Sequence, residues 1–288
     1  MPIMNKVMQQ VCAAACALFA LSSPALAQNQ VPSCYKANKI ENPSPALERE
    51  VFILIDQTTP FDEGLQRAIM ENADRLLKPG TGFAIASFSS FGQGRYMEIL
   101  AEGAFEKPLP DDVRRSTGVK ILQNLNQCLK DQHAYGRKLA AQALQKAFSG
   151  ISAGLAHSDV LASIREMSRR AKDSTAQDKI FFVASDMLEH SAISSFYANR
   201  NVRLLNVQAE MKKVQEHGML AQLADARVFV IGAGLVQDAR SKNAPKDSGI
   251  YRDPKKMGAL KGFWEAYFQQ SQGRLEEFGM PALLRHID

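Results

Sequence analysis

Histidine, tryptophan and cysteine are scarce in this chain. Its 288 residues include five His, one Trp and four Cys. His133, His157, His190, His217 and His286 share no ligand spacing, which argues against a histidine metal site. A single Trp leaves little for stacking on bases. Charge of one sign is lacking too: 35 Lys+Arg face 30 Asp+Glu, for a formal net charge of +5. The basic residues are scattered rather than massed in a stripe, which excludes binding nucleic acid by bulk charge. Gly (18) and Pro (12) are at ordinary levels beside an apolar fraction of 45%, so neither disorder nor collagen-like repetition fits. Beyond the N-terminus no segment is long and apolar enough to span a bilayer. No serine sits in a nucleophile elbow, and no Cys-His or Ser-His-Asp set can be assembled. What remains is a chain long enough to bury a full core. It has no internal repeat and no clear linker, so one domain is expected.

Residues 1–27 read as a secretory signal. Lys6 is the only charge, Val11 to Leu21 form an apolar core, and Ser22-Ser23-Pro24 break it. Ala25-Leu26-Ala27 then supplies the small-residue cleavage pattern, which places the mature protein in the periplasm or outside the cell. Cys12 and Cys16 leave with the signal. Cys34 and Cys128 remain, and in an oxidising compartment they are expected to pair. A bridge closing so long a loop stabilises by roughly 4 kcal/mol.

Residues 28–48 are polar and read as an extended lead-in; residues 49–288 carry the domain. Glu50 to Asp56 is a continuous apolar run ending in an acid, as is Lys179 to Asp186, while Ala226 to Gly232 ends in glycine. Runs without alternation suit strands buried on both faces of a parallel sheet. Helical patterns separate them: Pro60 to Leu77, the long stretch from Leu109 to Phe148, Ser158 to Lys172 with Ser158 or Asp159 as cap, and Gln208 to Leu223. Gln237 to Lys256 reads as a surface loop. Gly258 to Gln270 is an amphipathic helix whose aromatic stripe (Phe263, Trp264, Tyr267, Phe268) is expected to be core, and Arg274 to Phe278 a last strand. Gly82 to Phe88 and Arg95 to Ala101 lie too close together for a parallel crossover, so they must form an antiparallel hairpin, turned by Gly92 and Gly94. The expected fold is α/β: a doubly wound, mostly parallel sheet with one antiparallel edge strand and helices on both faces.

Asp56-Gln57-Thr58-Thr59 and Ser185-Asp186 both sit at carboxyl ends of parallel strands. Open α/β sheets bind ligands there, where the strand order reverses. If the two strands are neighbours, their acids meet. Two carboxylates plus hydroxyls make a hard oxygen site, suited to Mg²⁺, Mn²⁺ or Ca²⁺ rather than zinc; otherwise both acids merely cap helices. Gly232-Ala233-Gly234 fails as a dinucleotide fingerprint because Gln237 stands where the third glycine belongs. A haloacid-dehalogenase-like phosphatase is disfavoured by Thr58 in the place of its second Asp.

On these residues, from roughly Glu50 to Leu284, the sequence resembles the von Willebrand factor type A family. The resemblance rests on the strand ending in Asp-x-Thr, the early hairpin, the strand ending in Ser-Asp, and the closing aromatic helix with its short strand. It implies a divalent cation on the top edge of the sheet, held by an Asp-x-Ser-x-Ser motif, a lone Thr and a later Asp. Asp56, Thr58 and Asp186 match three of those positions. Pro60 occupies the second hydroxyl position and cannot ligate; Thr59 is one place early, and Ser158 is the candidate for the lone hydroxyl. The implied function is an exported protein-interaction module without catalytic residues. A metal-dependent hydrolase using Asp56 and Asp186 is the alternative from another class, and a structural subunit of an envelope assembly with a dead metal site is a third.

Overall fold

The computed structural model describes residues 29–41, 45–89, 97–152, 157–198, 201–235 and 253–288. The signal segment, the Gly92/Gly94 turn and most of the 237–256 loop lie outside them. After a short helix α1 (Cys34–Ala37), the chain enters β1 (Arg49–Asp56), α2 (Glu63–Leu76), β2 (Thr81–Phe88) and β3 (Met97–Ala104). Then come α3 (Asp111–Ser116), α4 (Val119–Ser149), α5 (Val160–Asp173) and β4 (Asp178–Ala184). A two-strand excursion, β5 (Tyr197–Ala198) and β6 (Asn201–Val202), precedes α6 (Val207–Glu216), β7 (Arg227–Ile231), α7 (Pro254–Gln270) and β8 (Arg274–Phe278).

The main sheet has the order β3-β2-β1-β4-β7-β8. Every neighbouring pair is parallel except β2 with β3, as the short connection requires. The unbroken apolar runs are explained by burial on both faces. Phe52 and Leu54 of β1 point into a core shared with α5, α6 and α7. Val51, Ile53 and Ile55 point into a second core under α2 and α4. The aromatic stripe of α7 is fully buried. Its two polar tips are satisfied: Trp264 Nε1 donates to the Met187 carbonyl at 2.9 Å and the Tyr267 hydroxyl to the Met219 carbonyl at 3.1 Å.

Several boundaries differ from expectation, each for a local reason. Helix α2 starts at Glu63 because Asp62, not Pro60, caps it, its carboxylate accepting from the Leu65 amide. The long helical stretch breaks at Thr117 and Gly118, both extended. Helix α6 stops at Glu216 and does not reach Leu223, because Gly218 turns the chain at φ +61°. Helix α7 begins within the expected loop, at Pro254, with Asp253 as its cap.

Helix α4 is the longest element, 31 residues, or about 46 Å at 1.5 Å per residue. Its carboxyl half lays Gly136, Ala140, Ala143, Leu144 and Ala147 towards the sheet. The approach is close: a Cβ on Gly136 would lie 2.4 Å from the Phe105 ring. Its amino half extends past the sheet and carries Cys128, bonded to Cys34 as expected. Cys34, Tyr35, Leu109 and Leu125 form a small separate core around that bridge. Glu106 holds the lead-in there, accepting from the Ser33 hydroxyl (2.6 Å) and the Cys34 amide (2.7 Å). Farther along, the Gln30 amide donates to the Glu102 carbonyl at 3.1 Å, covering part of the β3 edge.

Candidate functional site at the top edge of the sheet

Strands β1 and β4 lie side by side at the centre, where the strand order reverses. Their carboxyl ends therefore deliver Asp56 and Ser185-Asp186 to one crevice. All five residues expected at the site meet there. The side chain of Asp56 is fully buried. Its Oδ1 accepts from both the amide (2.9 Å) and the hydroxyl (2.6 Å) of Thr58, the local turn an Asp-x-Thr sequence favours. Its Oδ2 accepts from the hydroxyls of Ser185 (2.7 Å) and Ser158 (3.1 Å). Thr59, also buried, turns its hydroxyl oxygen to the Asp186 amide, 2.9 Å away. Pro60 is exposed and contributes nothing to the cluster.

Asp186 is held as tightly. Its Oδ1 accepts from the Leu188 amide at 2.9 Å and its Oδ2 from the Tyr197 hydroxyl at 2.6 Å. The loop behind it is fixed by the Met187 amide donating to the Ser185 hydroxyl oxygen and by Trp264 on the Met187 carbonyl. Met187 itself stands at φ +59°, a conformation of order 1 kcal/mol or more uphill for a side-chain-bearing residue.

Ser158 reaches Asp56 because it is not needed as a helix cap. Neither it nor Asp159 gives α5 a side-chain cap; the Leu161 amide is satisfied instead by Glu189 Oε2 at 2.9 Å. Ser158 is pinned by a reciprocal backbone pair with His190 (3.2 and 2.9 Å). The His190 ring stacks on His157, centroids 4.5 Å apart, and stands edge-on to Tyr197 at 5.7 Å. His190 is thus a half-buried packing residue, not a solvated one.

The electrostatics follow from burial. Desolvation raises the Asp56 carboxyl above its ordinary value despite the hydroxyl and amide donors around it. Asp186 is pushed well above its own, first by desolvation and then by the nearby Asp56 charge. Tyr197 is raised far beyond the usual phenol range by burial and by Asp186, so it stays a neutral donor. Burial lifts Glu189 to about 8.

Sequence reasoning missed three participants. Tyr197 comes from a two-residue strand in an aperiodic stretch, which gave no signal for it. Glu189 looks like any surface acid until its loop folds under α5. Ser185 was visible only as the neighbour of Asp186. Among the described residues no group of three or more His, Cys, Asp or Glu is placed to hold a metal ion; the top edge offers two carboxylates, with hydroxyls as the other oxygens.

No family model matches the chain, and no curated protein does. Similar solved structures include three N-terminal domains of the type V pili tip protein Mfa5 from Porphyromonas gingivalis, at 12% identity, covering 51% of this chain and 21% of that one, with a TM-score of 0.29. The PilB minor pilin from Streptococcus sanguinis matches at 10% identity over 83% of this chain and 58% of that one, TM-score 0.44. The conserved hypothetical protein BatB from Bacteroides thetaiotaomicron matches at 11% identity over 80% and 90%, TM-score 0.35. The chain thus spans about a fifth of the first structure and under three-fifths of the second. All are too distant to assign it to a family.

Proposed function

We propose that this chain is an exported protein-interaction module of the von Willebrand factor type A kind, which takes a partner protein at the carboxyl ends of β1 and β4. The observation that carries the reading is the convergence of Asp56, Thr58, Ser158 and Asp186, from three separate stretches of chain, on one crevice. Catalysis has less support. The hydroxyls of Ser158 and Ser185 donate to a buried carboxylate and are not paired with a histidine base. The oxygens suit a hard divalent cation such as Mg²⁺, Mn²⁺ or Ca²⁺, which Asp56, Asp186, Thr58 and Ser158 would hold. Such an ion would supply positive charge for a partner's carboxylate. Against this stand Pro60 and the donors already on all four carboxylate oxygens. These favour, as a second reading, a structural subunit that binds through shape and ordinary side chains.

Photo-cross-linking tests the reading. A photoreactive residue at exposed Pro60 should capture one specific protein in the native cell envelope, and one at exposed Val119, at the far pole, should not. Capture from Val119 alone would move the interface away from the site. Phosphoester or peptide turnover abolished by Asp56→Ala would replace the module with a hydrolase.

A further inference from the structure

We propose that the groove between α1 and α4, at the Cys34–Cys128 bridge, binds a neutral, hydroxyl-rich ligand of saccharide type. None of its lining residues belongs to the top-edge cluster, so the proposal stands apart from the function read there. The groove has a volume of about 510 Å³, within the roughly 300–1,000 Å³ usual for small-ligand sites. Asn124, Gln127, Asp131 and Tyr135 line it from α4, at spacings of three and four that set them on one face. Pro32, Ala37 and Asn38 line it from the opposite side, and the disulfide joins the two walls. Those walls are held by bonds of their own. Gln132 Nε2 donates to the Pro32 carbonyl at 2.8 Å, and the Tyr35 hydroxyl to the Lys107 carbonyl at 3.0 Å. The groove is therefore preformed, and a ligand entering it has little protein to order.

The lining selects the chemistry. Among the described residues no Lys or Arg lines the groove, so a phosphate or carboxylate finds no cationic partner in it. Its polar groups are amides, one carboxylate and a phenol, and they leave acceptors in surplus. Gln127 Nε2 donates to Asp131 Oδ1 at 3.0 Å, which leaves Gln127 Oε1 and Asp131 Oδ2 facing no protein donor. Asn38 Nδ2 donates to the Cys34 carbonyl at 2.8 Å, which leaves its Oδ1. The Asn124 amide and the Tyr135 hydroxyl make no hydrogen bond among the described residues. A ligand hydroxyl can donate to one such group and accept from the next, and its bond to Asp131 is charge-assisted. The rest of the lining is apolar: Pro32, Ala37, the disulfide sulfurs and the Tyr135 ring, which is 49% exposed. A pyranose has the matching pair of surfaces, a C–H face for the ring and sulfurs and a rim of hydroxyls for the amides.

Purified protein with its bridge intact tests this on an array of neutral, sialylated and sulfated oligosaccharides. Calorimetry then follows with the neutral chain retained best. Neutral saccharides should bind, and anionic ones should gain nothing from their charge. Asn124→Ala and Gln127→Ala should each weaken binding by roughly three- to tenfold, the loss of one hydrogen bond. Asp131→Asn, which removes the charged acceptor, should weaken it by on the order of tenfold or more. All three side chains are exposed, so the melting temperature of each variant should match the wild type, which separates lost binding from lost fold. Retention of sialylated or sulfated chains alone would overturn the proposal. So would equal affinity in the wild type and all three variants, or no neutral saccharide retained at all.

Discussion

Glu189 caps a helix it does not belong to: its Oε2 accepts the Leu161 amide at 2.9 Å, from 28 residues away. The arrangement closes the first turn of α5 and frees Ser158 for Asp56. It also fixes a sign. The Glu189 carboxyl, ordinarily near 4.5, is lifted by burial to about 8, so the folded state holds its proton more tightly than the unfolded chain does. The stability linked to it is complete below the unfolded value and is lost as pH rises through the folded one. The melting temperature of the wild type should therefore fall between about pH 4.5 and pH 8. Glu189→Gln should fall less over that range; Asp56 and Asp186, whose raised values act in the same direction, still contribute, while His190, lowered by burial, acts the other way below its ordinary 6.5. Parallel melting curves at pH 5 and pH 8 would show that Glu189 does not titrate there.

The hydroxyls on Asp56 should be unequal. Ser185→Ala removes the shorter bond, 2.7 Å, to a carboxylate with no exposure, and should cost about 1.5–3 kcal/mol. Ser158→Ala, at 3.1 Å, should cost about 1 kcal/mol. Urea denaturation measures both. In combination with Asp56→Asn the Ser185→Ala loss should shrink, because the two groups share one bond; strict additivity would deny the coupling.

Removing the Cys34–Cys128 bridge should act locally as well as globally. With 94 residues in the loop, Cys34→Ser/Cys128→Ser should lose roughly 4–5 kcal/mol. Hydrogen exchange should rise first in α1 and the amino half of α4, which share the small core around the bridge, and last in β1 and β4. Uniform loss of protection would contradict that order.

The exported protein should begin at Gln28 and weigh two hydrogens less than its dithiol form. Intact-mass analysis of a periplasmic or culture fraction reads both at once. A cytoplasmic product retaining Met1 would remove the export reading.

The central strands were legible because parallel strands buried on both faces need continuous apolar runs, and Val51–Ile55 and Ile180–Ala184 supply them. The site was legible for a related reason: strand ends are where such a sheet exposes polar groups, so Asp56 and Asp186 stood out at the ends of apolar runs. Their adjacency needed only the strand order. The lone hydroxyl at Ser158 was harder, since its competing role as a helix cap could be dismissed only once Glu189 was seen to satisfy Leu161. Arg170 of α5 pairs with Glu102 at 2.8 Å across the sheet edge, a contact 68 residues apart that no local pattern encodes. Tyr197 was illegible because it belongs to a two-residue strand in an aperiodic stretch.

The bridge between α1 and α4 also decides how the chain answers to tension. Residues between Cys34 and Cys128 include β1, α2, β2, β3 and α3, so half of the main sheet lies inside one covalent ring. A pull applied at the lead-in passes through sulfur into the long helix and cannot lengthen anything within that ring. Reduction would release the stored contour of 94 residues, roughly 320 Å of extended chain. The strand that carries Asp56 is thus shielded from stretching even when the outer elements are drawn away.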